Sequence, residues 1–193
     1  MNSQQVRSIE QLIAAVEHGH RPKYLFFWGH RPLPGGEIGK SVFSQWYEAP
    51  FVVEGTRYTT AEHFMMAGKA RLFGDAQAHE RIVAAASPNE AKKLGRTVQG
   101  FDDVQWKAAR FDLVVAGNLA KFSQNAAMGE FLKSTGDRVI VEASPVDKVW
   151  GIGTAADEPH AENPLLWKGL NLLGFALMEV RERLIEQEQQ KRQ

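Results

Sequence analysis

The region from Thr59 to Gly136 constrains the fold most, because its apolar residues recur at helical spacing and capping signals divide it into segments. The clearest helix start is Ser87-Pro88-Asn89-Glu90, with Ser as a cap, Pro in the first turn and Glu three residues after the cap. Helices are predicted over residues 59–73, 74–87, 87–95 and 101–124 and around Phe131. The sequence therefore predicts a mainly α fold.

A small β element is expected beside these helices. Residues 24–29 (YLFFWG) and 138–144 (RVIVEAS) have the aromatic or β-branched composition of strands. Residues 43–59 predict a short strand and then a hairpin turn at Glu54-Gly55. Residues 5–18 predict a short amphipathic helix, and the last helix is expected to start after residues 162–164 and to continue past Leu184.

The length of 193 residues suggests one compact multihelical domain with tails. We place an N-terminal helical extension at 1–22, the domain at 23–184 and a polar tail, expected to fray, at 185–193. The N-terminus lacks the apolar core of a signal peptide, and no apolar run approaches the length of a membrane span. These features predict a soluble, cytoplasmic protein.

Composition excludes several kinds of site. The chain has no cysteine, so disulfides, a thiolate nucleophile and Cys-ligated zinc are impossible. The 23 basic and 23 acidic residues balance, which argues against a bulk electrostatic grip on nucleic acid. No dinucleotide-binding, P-loop or zinc-protease motif occurs, and the six histidines lack metal-ligand spacing. We expect no metal, no cofactor and no obligate protein partner.

Glu62 is the first candidate for chemistry. In YTTAEHFMMAGKA (58–70), Thr59 is a good N-cap and Glu62 follows three residues later. The carboxylate can therefore close a capping box worth ~1 kcal/mol, and local sequence alone favours that interpretation. The two roles are compatible, because a helix N-terminus supplies N–H groups and a positive dipole that stabilise a carboxylate.

Other candidates are aromatic, acidic or amide side chains. Trp106 suits either the core or stacking on a base. Asp147 and Trp150 lie three residues apart in the loop SPVDKVWGIGT, which resembles a binding loop, although Asp is also common in turns. Asn171 needs a hydrogen-bond partner, supplied by a ligand or by a helix–helix contact that Gly174 permits.

Taken together, two carboxylates, two tryptophans and an amide suit cleavage of a glycosidic bond. Its transition state resembles an oxocarbenium ion, so a carboxylate can offset the charge or activate water, and Trp can stack on the leaving base. Two other interpretations remain open at this point. The domain can be a sensor that binds its ligand without hydrolysing it, or a helical interaction protein with a Trp-rich core.

The ordered motifs of the chain resemble those of the YbiA/NADAR-type N-glycosidase family over about residues 24–184. The motifs are FSQW (43–46), TAEHF (60–64) followed by Lys69, SPNEAKKLGR (87–96), Trp106 after an acidic pair, LAKF (119–122), DKVWGIG (147–153) and GLNLLGFALMEVR (169–181). Some members have F-S-N-F in place of FSQW and Asp at the position of Ile152, and residues 154–167 replace a shorter link. These departures lie where the resemblance places the edge of the pocket.

The resemblance implies a mainly α, YbiA-like fold and hydrolysis of N-glycosidic bonds. Known members of this type act on ribosylamino-pyrimidine phosphates, early riboflavin intermediates, and release ribose 5-phosphate and free base. Others remove ADP-ribose from modified guanine. The catalytic carboxylates would be Glu62, as the main group, and Asp147, as its assistant, although the sequence leaves the division of roles open.

The binding residues implied by the resemblance surround these acids in the sequence. Trp106 and Trp150 would stack on base or sugar, and Ser44 and Asn171 would bind substrate. Lys69 and Arg96 are candidates for phosphate binding, with a role as surface charges as the alternative.

Overall fold

The computed structural model describes residues 6–192, and the chain divides into two compact units. One unit consists of Met1–Ser44 and Ala127–Gln193, and the other of Gln45–Ala126. We call them the terminal unit and the central unit. The described residues contain seven α-helices and four short strands, so the predicted mainly α fold is confirmed.

The central unit begins with a β-hairpin. Strand β2 (Phe51–Val53) pairs antiparallel with β3 (Thr56–Tyr58). Glu54 and Gly55 connect them with φ values of 50° and 77°, the pair of left-handed residues that a two-residue hairpin turn requires. The hairpin predicted at this position is confirmed.

Four helices follow the hairpin: α2 (Ala61–Leu72), α3 (Ala76–Val83), α4 (Pro88–Gly95) and α5 (Asp103–Gln124). Helix α2 is buried on nearly all sides because α3, α4 and α5 all pack against it. Close packing of α2 on α5 depends on Gly117, since a Cβ there would lie 2.5 Å from the Phe64 ring. A helix enclosed in this way can hold polar side chains away from water.

The starts of α3, α4 and α5 follow local capping rules. Asp75, Ser87 and Asp102 each accept a hydrogen bond from the third backbone N–H of their helix. The predicted start at Ser87 is confirmed, with Pro88 in the first turn. The Glu90 carboxylate accepts a hydrogen bond from Ala86 N at 2.8 Å, so it helps to close this helix start.

The terminal unit contains α1 (Ile9–Glu17), β1 (Tyr24–Phe27), α6 (Ala126–Ser134), β4 (Val139–Glu142) and α7 (Leu172–Lys191). The first residue of α6, Ala126, is counted with the central unit. Short 3-10 helices lie at Lys40–Phe43 and Pro164–Leu166. The two strands pair in parallel, with Tyr24 opposite Val139, and α7 packs against β4. Both predicted strands are confirmed, and α1 begins after Ser8, which caps it.

The last helix begins later than predicted. A 3-10 turn at Pro164–Leu166 follows Asn163, and α7 starts only at Leu172 because Asn171 has a left-handed backbone, with φ of 53°. The helix–helix contact suggested for Gly174 is also wrong. A Cβ on Gly174 would lie 2.0 Å from the Ile140 carbonyl oxygen, so this glycine lets α7 approach a strand.

The polar C-terminal segment is helical through Lys191, and ion pairs hold α7 at two places. Arg7 pairs with Glu179 and Glu182, and Lys133 of α6 pairs with Glu188. The segment expected to fray therefore continues α7 as far as Lys191. None of the helices within residues 6–192 combines the length and apolar character needed to span a membrane.

Candidate active site

Glu62 is a buried carboxylate in the first turn of α2. Its side chain is 3% exposed, and its backbone N–H donates to the Gln45 carbonyl at 3.0 Å. Thr60, rather than Thr59, is the N-cap, and its hydroxyl accepts from His63 N at 3.3 Å. The predicted capping box is therefore wrong, because the third helical position belongs to His63 and Glu62 occupies the second.

The Thr60–His63 pair completes this helix start. His63 Nε2 lies 3.0 Å from the Ala85 carbonyl oxygen, which can only accept, so Nε2 carries the proton. Nδ1 then accepts from the Thr60 hydroxyl at 2.7 Å. Burial lowers the pKa of His63, which favours the neutral ring that this arrangement requires. Thr60 and His63 therefore make the cap, and the Glu62 carboxyl group lies at the positive end of the helix dipole.

Two buried amides adjoin this turn, and sequence reasoning missed both. Gln45 is 7% exposed and Asn118, in α5, is fully buried. Asn118 Nδ2 donates to Gln45 Oε1 at 2.7 Å. For Asn118, the signal in the sequence is its position on an otherwise apolar stretch of α5, directly before the LAKF motif. For Gln45, the signal is its departure from the F-S-N-F pattern of some family members.

Lys121 is another buried polar residue of the central unit, and in the sequence it stands out only as part of LAKF. Its side chain is 0% exposed, and its Nζ lies 5.1 Å from the centre of the Phe122 ring and 5.9 Å from that of Tyr47. Burial lowers the pKa of this ammonium to about 7. A lysine in this state is able to exchange a proton near neutral pH.

Lys69 and Trp106, both predicted to bind substrate, lie together in the central unit. Lys69 Nζ donates to the Gly95 carbonyl at 2.8 Å and lies 4.3 Å from the centre of the Phe101 ring and 5.5 Å from that of Trp106. Burial lowers the pKa of Lys69. Trp106 is half-buried in the first turn of α5, and Arg96 is exposed at the end of α4.

Asp147 and Trp150 lie together in the terminal unit. Asp147 Oδ1 accepts from the backbone N–H groups of Val149 and Trp150, each at 2.8 Å. Both hydrogen bonds that this carboxylate accepts within residues 6–192 therefore end on Oδ1. The Asp147 N–H donates to the Ser144 hydroxyl at 3.1 Å. Asp147 therefore stabilises a turn, which is the structural role that the sequence allowed as its alternative. The Trp150 side chain in this turn is half-buried.

Asn171 is fully buried and bonded to β4. Its Oδ1 accepts from Glu142 N at 3.0 Å, and its Nδ2 donates to the Ile140 carbonyl at 2.9 Å. These bonds give Asn171 a role in joining the start of α7 to the strand. Ser44 is half-buried at the end of the first 3-10 helix. Substrate binding by either residue stays a prediction.

Comparison with known proteins places these residues in a family. Residues 26–185 match the model of the NADAR domain, a match that includes residues of both units. The N-glycosidase R617 of Acanthamoeba polyphaga mimivirus is 41% identical over 165 residues, which cover 83% of this chain and 95% of the relative.

Two further relatives extend the comparison. The N-glycosidase YbiA of Escherichia coli is 32% identical over 142 residues, covering 74% of this chain and 80% of the relative. Its NMR structure superposes with a TM-score of 0.67 and 24% identity, covering 97% of this chain and 94% of YbiA, which confirms the predicted YbiA-like fold. The chloroplastic riboflavin biosynthesis protein PYRR of Zea mays is 33% identical over 135 residues, or 66% of this chain and 20% of PYRR.

Proposed function

Since this chain belongs to the NADAR domain family, we propose that it is an N-glycosidase with Glu62 as its main catalytic carboxylate. The reaction class is supported by relatives with the name N-glycosidase that are 31–41% identical over most of their length. The observation that carries the role of Glu62 is its position. The carboxylate is buried at the positive end of α2, while Thr60 and His63 make the cap.

The substrate class that we propose is a ribosylamino-pyrimidine phosphate, an early intermediate of riboflavin biosynthesis. The match to a riboflavin biosynthesis protein supports this choice, although the matched segment is one fifth of that relative. The products would be ribose 5-phosphate and the free base. ADP-ribosyl-guanine is the competing substrate, and binding of ADP-ribose without hydrolysis is the competing function.

The proposed step is hydrolysis of a C–N bond. A water oxygen bonds to the anomeric carbon of the ribosyl group as the bond from that carbon to the base nitrogen breaks. Glu62 stabilises positive charge on the ribosyl ring and accepts a proton from the water, and this proton is passed on to the leaving nitrogen. No electron is transferred, so the step balances with water as the only co-reactant.

The remaining residues have supporting roles in this proposal. Trp106 offers a half-buried aromatic face to base or sugar, and Lys69, whose ammonium lies beside it, is a candidate for the phosphate. Arg96 is an exposed second candidate for that phosphate. Asp147 is assigned an assisting part, and Trp150, Ser44 and Asn171 are assigned to binding.

Glu62→Gln is the first test, because the amide keeps the shape of the side chain and removes its charge. We expect kcat on the ribosylamino-pyrimidine phosphate to fall at least a hundredfold, which corresponds to a rise of about 2.7 kcal/mol in the activation barrier. Glu90→Gln makes the same change in the first turn of α4 and should leave kcat unchanged. Full activity of a folded Glu62→Gln variant would show that the carboxylate has no catalytic role.

Asp147→Asn separates charge from structure in the terminal unit. An Asn Oδ1 can still accept from the Val149 and Trp150 N–H groups, so we expect the turn to be kept. If Asp147 assists the reaction, kcat falls at least tenfold while the melting temperature stays within a few degrees. A parallel loss of stability and activity would instead assign this carboxylate to the turn alone.

The substrate itself is tested with a panel. Purified protein is incubated with ribosylamino-pyrimidine phosphate, with ADP-ribosyl-guanine and with ADP-ribose, and released sugar and bound ligand are measured. Release of ribose 5-phosphate from the first compound is the expected result. Release of ADP-ribose from ADP-ribosyl-guanine alone would make that compound the substrate in place of the ribosylamino-pyrimidine phosphate. Binding without release of sugar would identify a sensor.

A further inference from the structure

The amide pair of Gln45 and Asn118 has hydrogen-bonding groups that the fold does not use. Asn118 Nδ2 makes two bonds, to Gln45 Oε1 at 2.7 Å and to the Val114 carbonyl at 2.9 Å. Asn118 Oδ1 and Gln45 Nε2 are buried and make no hydrogen bond within residues 6–192. One acceptor and one donor are therefore left over on two side chains that are bonded to each other.

The orientation of both amides follows from the network. The Val114 carbonyl can only accept, so the Asn118 atom facing it must be the donor Nδ2. That Nδ2 also faces Gln45, so Gln45 must present Oε1 to it. Rotating either amide by 180° would place two acceptors or two donors against each other. The unused pair is therefore Gln45 Nε2 as donor and Asn118 Oδ1 as acceptor.

The pair is attached to the turn that carries Glu62. The Gln45 carbonyl accepts the Glu62 N–H at 3.0 Å, so the main chain of one residue adjoins the backbone of the other. A buried polar group without a partner costs about 1–3 kcal/mol, and folded proteins leave few of them. Two such groups on side chains attached to the turn that carries Glu62 indicate a site that a ligand completes.

We propose that Gln45 and Asn118 bind a hydroxyl of the ribosyl group and make the enzyme selective for ribosyl over 2-deoxyribosyl substrates. This inference rests on the proposed N-glycosidase function. A hydroxyl donates one hydrogen bond and accepts others, so it has the two functions, acceptor for Nε2 and donor for Oδ1, that this pair requires. The 2-hydroxyl lies on the carbon next to the anomeric carbon at which Glu62 acts, and its hydrogen bonds strengthen in a glycosidase transition state.

The test compares Gln45→Glu and Gln45→Met with wild type. The Glu variant keeps an oxygen for Asn118 Nδ2 and replaces the unused donor by an acceptor, and the Met variant has neither group and no charge. Gln77→Glu and Gln77→Met are matched controls at an exposed position of α3. For each protein, kcat/KM is measured on a ribosyl substrate and on its 2-deoxyribosyl analogue with the same base.

The measured quantity is kcat/KM on the ribosyl substrate divided by kcat/KM on the 2-deoxyribosyl analogue. The deoxy compound is intrinsically more labile, but this affects every protein equally and cancels when their ratios are compared. We expect this ratio to fall at least tenfold in both Gln45 variants and to stay unchanged in both Gln77 variants. An unchanged ratio in folded Gln45 variants overturns the proposal. A loss that depends on the base and leaves the sugar ratio unchanged also overturns it and assigns the pair to the base.

Equilibrium binding keeps this inference separate from the proposed reaction. Ribose 5-phosphate and 2-deoxyribose 5-phosphate are titrated into wild type and into the Gln45 variants by calorimetry. Wild type should bind the ribo compound more tightly, and the Gln45 variants should lose at least tenfold of that preference. If wild type hydrolyses no substrate but shows this pattern, the reaction proposal fails and the binding inference stands. Equal affinities in wild type overturn the inference even if hydrolysis occurs.

Discussion

Lys121 is a lysine held in an apolar interior rather than at the protein surface. Its side chain is fully buried, and burial lowers its pKa from 10.5 to about 7. The unfolded chain therefore holds one more proton than the folded chain between about pH 7 and pH 10.5. Because of this difference, the contribution of Lys121 to the free energy of unfolding rises with pH across that window, by up to about 1.4 kcal/mol per unit.

Lys121→Met should remove that dependence. We expect the free energy of unfolding of wild type, from urea titrations between pH 7 and 10, to rise relative to that of the variant as pH increases. The difference between the two curves is measured, so other titrating groups cancel. Lys107→Met, at an exposed position of the same helix, should give a curve parallel to wild type. Parallel curves for Lys121→Met as well would mean that this lysine stays charged in the folded protein.

At the scale of one element, the start of α2 decides how Glu62 is held. The Thr59 carbonyl accepts from Ala49 N at 3.2 Å, a main-chain bond that needs no particular side chain. The Thr60 hydroxyl bonds to both His63 N and His63 Nδ1. We therefore expect Thr60→Ala to lower the free energy of unfolding by about 1–2 kcal/mol and Thr59→Ala by less than about 0.5.

Urea unfolding of the two variants side by side measures this contrast. Thr60→Ser keeps the hydroxyl and should restore most of the stability lost in Thr60→Ala. A larger effect at Thr59 than at Thr60 would contradict the observed cap and return Glu62 to the third position of the helix. In that case the capping interpretation of its carboxylate would regain its basis.

At the scale of the whole molecule, the charge balance bears on the choice of substrate. Basic and acidic residues are equal in number, so the chain lacks the excess of positive charge with which proteins bind the DNA backbone. We expect no stable complex with an unmodified DNA duplex at about 150 mM salt, measured by fluorescence anisotropy. Micromolar binding that weakens steeply with added salt would favour ADP-ribosylated nucleic acid as the substrate.

The sequence by itself determined the features that depend on a few neighbouring residues. The hairpin at Glu54-Gly55 and the helix start at Ser87-Pro88 are complete within one turn of chain, so local rules predict them. The ordered motifs identified the family without any structure. Their residues span the chain from Phe43 to Arg181, and the family model covers residues 26–185.

Only the tertiary structure decided the features that need a distant partner. The cap of α2 lies at Thr60 because the His63 ring, to which the Thr60 hydroxyl bonds, is fixed by a hydrogen bond to the Ala85 carbonyl. Helix α7 begins only at Leu172 because the Asn171 amide bonds to β4. Gln45 meets Asn118 across 73 positions of sequence. Local propensity differs by less than about 1 kcal/mol between adjacent candidate positions, so hydrogen bonds made over such separations determine which one is used.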